Sequence, residues 1–581
     1  MRIPRTLQTA LKLIIFPIAI AGLAQAASAA TFIKANNADN LNLDTSWGNG
    51  TGGQPTSTDI ALWDSNVLAA NTTVLGGNLS WQGIQMTTPG GNVRISNGNT
   101  LTLGVSGINA STSSKNLSIY TNVTLVADQT WDFSGTGTAH YIGSDTPNTT
   151  LATGNTMVTI NTNNVALVTI GGNITGSGGI TKNGTGTVAI SGASTYSGTI
   201  TINQGTVQII GSGSFGSTAL ITGASTGFLN FKRTDAFTID NLISGGITVR
   251  QNDIGTTTLT RANTYTGPTQ LFGNGTLKVS SLNSVVGGTT GSNLGAPTDA
   301  TNGTLWFGKV AVSGQLTYIG TGETTDRVIK LYGTTGGATL DQSGSGLLKF
   351  TGNVTAPGTA AADNRKTLTL QGSTSATGEI SGNIVDSTLG NAGQLATSVT
   401  KAGTGTWTLS GANTYTGATT VSTGTLLING SSSGNGATTV ASGATFGRTG
   451  STALSLGGNV TFSAGSLITL SLGTPGVNSS LARTGGTSTW TFDGSQAFTF
   501  DDLGATTGTY SGLITGLTGS EAGLTTGNWT ISNAGWTGTF SYNSGTNSVD
   551  LNLIAIPEPA TWALLAATGT FFMVMRRRRW D

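Results

Sequence analysis

Two stretches of the chain repeat one another over 29 residues without a gap. "KNGTGTVAISGASTYSGTITINQGTVQII" begins at Lys182, and "KAGTGTWTLSGANTYTGATTVSTGTLLIN" begins at Lys401, an offset of 219 residues. A third copy, "IGTTTLTRANTYTGPTQLFGNGTLKVS", begins at Ile254 and needs one extra residue after its Tyr-Thr-Gly. Self-similarity on this scale is typical of stacked repeat architectures, so it constrains the fold more than any other feature.

Apolar and threonine side chains alternate within each repeat. Trp407 and Leu409, for example, alternate with Thr406 and Thr408. Period-two patterning predicts a strand with one apolar face. Each unit reads as three short strands, and one unit alone has too little partner surface to bury its apolar stripe. Stacking the units buries it, which predicts a β-solenoid whose strands pair from coil to coil.

Glycine occupies the corners between these strands. Glycine adopts φ > 0 without steric cost, so it suits a sharp change of chain direction. We predict structural roles for the corner glycines of the three repeats, which are Gly198, Gly205, Gly267, Gly417 and Gly424.

The three repeats resemble the autotransporter-associated β-strand repeat, which occurs in passenger regions of bacterial surface proteins. The resemblance implies an all-β fold, a right-handed parallel β-helix built as a rod. With about 4.8 Å between strands and roughly 20 to 25 residues per coil, some 500 residues would form a rod on the order of 100 Å long.

The predicted organisation has five segments. Three tryptophans, Trp47, Trp63 and Trp81, mark the candidate cap at the N-terminal end of the solenoid. The predicted segments are a signal peptide at 1–29, an N-terminal cap at 30–84, the solenoid at 85–480, C-terminal β coils or a small β-sandwich at 481–553, and a sorting signal at 556–581.

Composition supports a regular β structure and excludes several classes of protein. Gly accounts for 89 residues and charged residues for only 8 %, while 36 % of the chain is hydrophobic; disordered chains usually combine low hydrophobicity with high net charge. Without the three basic residues of the signal segment, the four terminal arginines and Asp581, the body has 18 Lys and Arg against 23 Asp and Glu. The resulting net charge of about −5 lacks the excess of basic residues that is typical of proteins that bind nucleic acid. Cysteine is absent, which excludes disulfides and thiolate metal sites.

The N-terminus has the order of features of a cleaved secretory signal. Basic Arg2, Arg5 and Lys12 precede an apolar stretch, and the small residues Ala-Gln-Ala-Ala-Ser-Ala-Ala follow it. We predict cleavage after Ala29, with Ala26 as the alternative site.

The C-terminus predicts a short transmembrane helix. Residues 560–575 carry no charge, and sixteen helical residues cover about 24 Å, slightly less than a hydrocarbon core of about 30 Å. A basic cluster follows, and the positive-inside bias places it on the cytoplasmic side. It consists of Arg576, Arg577, Arg578 and Arg579.

Pro557, Glu558 and Pro559, followed by the apolar run and the terminal arginines, resemble the PEP-CTERM sorting signal. The resemblance implies an exosortase as partner, a transient inner-membrane anchor, and a link to exopolysaccharide and biofilm. A permanent anchor is the alternative interpretation of the same tail.

Candidates for chemistry are few. His140 is the sole histidine, and the adjacent Asp501 and Asp502 would point to opposite faces of a strand, which does not suit a carboxylate pair. The tyrosines at one repeat position, Tyr196, Tyr265 and Tyr415, suggest either a packed turn, which we favour, or a sugar-stacking face. We predict no catalytic residue, no metal and no cofactor.

We therefore expect an exported structural or adhesive protein, anchored in the inner membrane by its tail and then sorted to the cell envelope or extracellular matrix, with exopolysaccharide as a candidate partner. A carbohydrate-active β-helix enzyme is the main alternative, and it would need carboxylates clustered on one face. A self-secreting autotransporter is a third hypothesis, and it would need a C-terminal membrane β-barrel where this chain instead carries an apolar run and arginines.

Overall fold

The computed structural model describes residues 29–556, except 49–51, 145–148, 164–165, 359–362, 374–376, 390–392 and 394. Regular structure in this part is almost entirely β, and nearly every strand pairing is parallel. The predicted all-β fold with parallel sheets is thereby confirmed, whereas its right-handed sense stays a prediction. The predicted signal peptide up to residue 28 and the predicted transmembrane helix lie outside the described residues.

Two parallel sheets begin near the N-terminus. Sheet A has twelve strands, and they are Thr31–Ile33, Ile60–Trp63, Leu79–Met86, Thr100–Asn109, Asn122–Leu125, Gln129–Phe133, Thr150–Ala152, Val158–Thr162, Asn173–Thr175, Ile180–Asn183, Ile200–Ile202 and Ile221–Gly223. Sheet B has fourteen strands, and they are Asn71–Thr73, Val93–Ile95, Leu117–Ile119, Ala139–Ile142, Leu167–Ile170, Thr187–Ile190, Gly205–Ile210, Gly227–Lys232, Thr248–Gln251, Thr269–Leu271, Leu305–Phe307, Ile329–Leu331, Val354–Ala356 and Ile384–Ser387.

Two further parallel sheets begin later in the chain. Sheet C has eleven strands, and they are Ala236–Ile239, Thr256–Leu259, Thr276–Val279, Gly314–Tyr318, Ala338–Gln342, Lys366–Gln371, Thr397–Lys401, Thr419–Val421, Thr438–Val440, Val460–Phe462 and Trp490–Thr491. Sheet D has nine strands, and they are Glu323–Thr325, Leu348–Phe350, Thr377–Ile380, Thr406–Leu409, Thr425–Ile428, Thr445–Gly447, Leu467–Leu472, Ala497–Asp502 and Thr530–Ile531.

Smaller elements complete the described part. A two-stranded pair joins Ala412–Asn413 to Ser431–Ser432, and sheet E contains Ala453–Leu456, Ser480–Arg483, Gly508–Thr515, Thr537–Asn543 and Ser548–Ala555. The helical elements are one α-helix, Ala300–Gly303, and the 3₁₀ turns Asp44–Ser46 and Thr526–Asn528. In the region that the structure describes, no helix is long and apolar enough to cross a membrane.

Each strand pairs with the strand one coil further along the chain, which is the arrangement of a β-solenoid. Val188 lies opposite Val207, nineteen residues later, and Trp407 lies opposite Leu426. The first and third strands of each predicted unit are therefore neighbours in one sheet, so a unit is one coil plus the start of the next. Coil length varies, because Gln270 lies opposite Trp306 after 36 residues.

The core follows from the period-two pattern. Along sheet B the inward file runs through Val188, Val207, Leu229 and Val249, each opposite the next, and each of these side chains is at most 1 % exposed. Burying a side chain of this kind contributes about 1.5 to 3 kcal/mol. The solenoid thus forms one continuous hydrophobic core along its length.

Aromatic side chains fill both ends of the core. At the N-terminal end Trp47 packs against Trp63 and Trp81, with each ring centroid 5.8 Å away, and all three rings are buried. The segment predicted as a cap thereby contributes both these rings and the first strands of sheets A and B. At the other end Phe540 packs 4.6 Å from Phe498.

The predicted C-terminal segment, 481–553, combines two arrangements. Its strands in sheets C and D continue the parallel ladders, whereas Gly508–Thr515, Ser548–Ala555 and Thr537–Asn543 pair antiparallel. An antiparallel turn at the end of a parallel ladder occupies an edge that would otherwise recruit further strands.

A long insertion lies between the strands Thr276–Val279 and Leu305–Phe307. Arg327, which is fully buried, holds it by donating to the carbonyl oxygens of Leu282, Leu294 and Gly303 at 2.7 to 3.0 Å. Glu323 accepts hydrogen bonds from the backbone N–H groups of Leu282 and Asn283. Sheet B therefore resumes in register after the insertion.

Candidate binding surface

The predicted sorting residues lie outside the part of the chain that the structure describes. Pro557, Glu558 and Pro559 and the cluster Arg576 to Arg579 follow the last described residue, and the predicted cleavage site Ala29 is the first described one. These sites stay predictions.

The corner glycines fall into two groups. Gly205 and Gly424 have φ of 74° and 66°, the left-handed region that favours glycine. Gly198, Gly267 and Gly417 lie outside that region, so φ > 0 is the wrong reason for glycine there. A Cβ atom on any of these three would overlap a carbonyl oxygen of the preceding coil, and close backbone approach is what requires glycine.

One repeat position that sequence reasoning missed is a buried donor at the corner. Lys182 Nζ donates to the carbonyl oxygens of Asn183, Gly184 and Gln204 at 2.8, 2.6 and 3.1 Å. Lys401 makes the same three contacts in its repeat, at 2.7, 2.6 and 3.1 Å. In the middle repeat the equivalent residue is Gln251, which donates to the carbonyl oxygens of two residues. The sequence carries a signal for this donor, since each repeat has a polar side chain, Lys or Gln, at the same position.

The unfolding free energy is expected to rise between pH about 8 and about 10. Burial lowers the pKa of Lys34, Lys182, Lys366 and Lys401 to about 8, from an ordinary value of 10.5. In this window the unfolded chain binds more protons than the folded one, so stability increases with pH. Urea unfolding at several pH values measures this increase in the free energy of unfolding.

Above pH about 10 the trend reverses, because burial raises the pKa of Tyr265 to about 12 and the unfolded tyrosine ionises first. The variant Lys401→Gln removes one of the four titrations and serves as the control, with a smaller rise expected. A free energy of unfolding that falls between pH about 8 and about 10 would contradict the assignment.

The residues considered above as candidates for chemistry make hydrogen bonds within the fold. His140 is 2 % exposed, its Nδ1 accepts from the Leu117 N–H at 3.1 Å, and burial lowers its pKa to about 4. Asp501 and Asp502 are both exposed at the end of a strand, where Asp502 accepts from the N–H groups of Gly504 and Ala505.

The repeat tyrosines belong to the core. Tyr196, Tyr265 and Tyr415 are at most 2 % exposed. The hydroxyl groups of Tyr265 and Tyr415 each lie 2.8 Å from a threonine hydroxyl four residues later. A buried ring cannot stack on a sugar, so the packed-turn interpretation is the correct one.

The side chains on the outer side of sheet B form a single file, which we call the outer row. Most of its exposed and half-buried members lie towards its two ends, because four members within it are buried: Thr169, Ala189, Asn230 and Gln270. Each member lies directly opposite the next through thirteen consecutive strands. The outer row consists of Thr72, Arg94, Ser118, Tyr141, Thr169, Ala189, Gln208, Asn230, Arg250, Gln270, Trp306, Lys330 and Thr355. With about 4.8 Å between strands, its length is roughly 60 Å.

In the second half of the outer row, two cations of the row lie against aromatic rings. The guanidinium carbon of Arg250 lies 4.1 Å from the ring centroid of Phe228 and 5.6 Å from that of Phe272. Lys330 Nζ lies 3.9 Å from the Trp306 ring. Such contacts hold a cation at the surface without a carboxylate partner.

Aromatic rings that are not part of the outer row lie beside Trp306 and Arg250. Tyr332, which is 44 % exposed, packs 4.8 Å from Trp306 and 5.7 Å from Phe272. We call Phe228, Phe272, Trp306 and Tyr332 the aromatic cluster. Phe272 is buried, so Tyr332 and the half-buried Phe228 and Trp306 present the apolar surface of the cluster, beside two positive charges.

A shallow groove of about 280 Å³ lies at the other end of the outer row. Its lining includes Arg94, Tyr120 and Tyr141. The Arg94 guanidinium stacks 4.6 Å above the Tyr120 ring, and Tyr120 lies 5.8 Å from Tyr141. The same combination of cation and ring therefore occurs twice along one face.

The charged side chains of the outer row are all positive, whereas the fourteenth strand of sheet B carries the half-buried Asp386. The outer row contains no carboxylate, and within the described residues Arg94, Arg250 and Lys330 form no ion pair. The ion pairs that the structure contains lie elsewhere, and they are Arg233–Asp235, Arg261–Asp240, Lys349–Glu379, Arg365–Asp363 and Arg483–Glu521. In the same part of the chain, no group of three or more His, Asp or Glu side chains is placed to hold a metal ion.

Comparison with known proteins identifies the repeats. The passenger-associated transport repeat family matches residues 180–209, 249–279 and 399–428. The chain therefore contains repeats of the autotransporter-associated kind, as the sequence predicted. The three matches coincide with the coils that share the corner donor and the buried tyrosine.

The chain is also similar to a curated bacterial protein, the adhesin BmaC autotransporter of Brucella suis biovar 1 (strain 1330). The two are 30 % identical over 265 residues, which cover 41 % of this chain and 8 % of that protein. The chain thus spans a small part of the length of this relative.

Proposed function

We propose that this protein is an exported, non-enzymatic surface protein of the adhesin type, with the solenoid as its adhesive body. The observation that carries the proposal is the set of passenger-type repeats, together with the similarity to an adhesin autotransporter. A long solenoid whose outer row contains no carboxylate suits a protein that contacts extended partners.

The proposal includes a route to the surface. The signal peptide is removed after Ala29, and the apolar run at 560–575 holds the protein transiently in the inner membrane. An exosortase then processes the tail near Pro557, Glu558 and Pro559 and releases the protein to the cell envelope or extracellular matrix, where exopolysaccharide and biofilm formation are its setting. Support for this route comes from the resemblance of the tail to the PEP-CTERM signal.

Intact mass and cell fractionation of the protein from its native host test this route. We expect a species that starts at Ala30, lacks the residues after the Pro-Glu-Pro motif, and is found outside the inner membrane. The variant Glu558→Ala should accumulate in the inner membrane with its tail intact, whereas Glu521→Ala, a carboxylate of the solenoid body, should be processed normally. A native species that still ends at Asp581 in the inner membrane would contradict the sorting route.

A further inference from the structure

The outer row has the shape of a site for a polymer. Its side chains follow one another in strict register over roughly 60 Å, and the groove at its N-terminal end is shallow. Pockets for small molecules are concave and bury most of the ligand. An extended chain lying along the solenoid would contact the groove and the aromatic cluster at the same time.

The chemistry of the outer row indicates which class of polymer it can bind. Exposed ring faces bind apolar C–H surfaces, such as the faces of sugar rings, through burial of apolar area. Arg250 and Lys330 supply positive charge beside those rings without a carboxylate of their own, and Arg forms paired hydrogen bonds with carboxylates. A ligand that offers both apolar ring faces and carboxylates satisfies both features.

We propose that the outer row binds an extended acidic polysaccharide in which sugars bearing carboxylates alternate with neutral ones. Sugar faces stack on Trp306 and Tyr332, and carboxylates pair with Arg250 and Lys330. The Arg94–Tyr120 groove engages a later part of the same chain. This inference rests on the proposed function, since it names the ligand class of the adhesive surface.

Charge density distinguishes this ligand from nucleic acid. Duplex DNA carries one negative charge per about 1.7 Å, whereas the outer row offers three cations in roughly 60 Å. The body of the chain is also net negative, at about −5 from 18 basic and 23 acidic residues. A sparsely charged glycan complements this surface, whereas a dense polyanion would be repelled by the rest of the solenoid.

Binding of the full chain to immobilised hyaluronan, which alternates glucuronate with N-acetylglucosamine, tests the inference. We expect Lys330→Gln and Arg250→Gln each to weaken binding about tenfold, because each loses a charge-assisted hydrogen bond. Trp306→Ala should weaken it at least as much. Lys330→Arg should retain affinity, and added salt should weaken binding of the native protein.

Two controls make the result specific. Lys278→Gln removes one equally charged side chain from a strand of sheet C, away from the outer row, and should leave affinity unchanged. Carboxyl-reduced hyaluronan has the same backbone without charge and should bind at least tenfold more weakly. Urea unfolding of each variant establishes that the solenoid remains folded.

Other outcomes would overturn the inference. These are failure to bind hyaluronan, equal binding of the carboxyl-reduced polymer, equal losses for Lys278→Gln and Lys330→Gln, or tighter binding of duplex DNA. A dimer in sedimentation velocity that Lys330→Gln dissociates would assign the outer row to self-association instead. Export and tail processing in the native host are measured separately, so failure of this inference leaves the proposed function testable on its own.

Discussion

Gly198→Ala is expected to lower the free energy of unfolding by about 3 kcal/mol or more, a cost typical of severe overpacking. A Cβ atom at this position would overlap the carbonyl oxygen of Gly178 and approach the Tyr196 hydroxyl to 2.6 Å. That hydroxyl donates to the carbonyl oxygens of Gly178 and Thr199. Gly178 and Gly198 lie on stacked coils. Neither backbone can therefore move without disturbing the hydrogen bonds that pair the coils.

Gly179→Ala provides the matched control, since it makes the same chemical change in the neighbouring coil. The nearest atom to its added Cβ would be Met157 Cγ at 3.6 Å, an ordinary contact with a flexible side chain. Its φ lies outside the left-handed region, so the expected change is within about 1 kcal/mol. Urea midpoints of the two variants measure the difference, and equal losses would show that close approach between coils is not what requires glycine at Gly198.

Lys182→Met is expected to cost about 3 kcal/mol, because methionine fills a similar volume but donates no hydrogen bond. The Lys182 ammonium satisfies three carbonyl oxygens, of which that of Gln204 lies on the next coil. The side chain therefore ties two coils together at their corner. A buried acceptor that loses its donor costs about 1 to 3 kcal/mol.

Lys182→Gln is the control, because the protein itself uses glutamine at this position in the middle repeat. Gln251 Nε2 donates to the carbonyl oxygens of Asp253 and Gly255 at 3.1 and 2.8 Å. We expect Lys182→Gln to lose less than half as much stability as Lys182→Met, measured by urea unfolding. A methionine variant more stable than the native protein would mean that desolvation of the ammonium outweighs its hydrogen bonds.

The repeats were enough to predict how the core is built. Alternation of Trp407 and Leu409 with threonines predicts which side chains face inward, and both residues are indeed buried in parallel strands. The repeats also predict a packed turn at Tyr415, because a tyrosine recurs at that repeat position. Local periodicity carries this information, since inward and outward positions alternate residue by residue in a strand.

The reason for glycine at several corners could not be predicted. Gly198 and Gly205 look alike in the sequence, yet only Gly205 has φ > 0. What excludes a side chain at Gly198 is a carbonyl oxygen twenty residues earlier, at Gly178. A contact between two coils cannot be predicted from the residues next to the glycine in the sequence.

The sequence by itself determined the inward face, the glycine corners and the stacking of repeats, because period-two alternation and turn chemistry are local properties. Even Arg94, Trp306 and Lys330 carry a local signal, as each stands between two buried apolar residues. Only the tertiary structure decided which outward side chains meet. Along sheet B, coils range from nineteen residues, as from Val188 to Val207, to 36 residues, as from Gln270 to Trp306. Because coil length varies, neighbours along the outer row have no fixed spacing in the chain, and their register arises only when the coils stack.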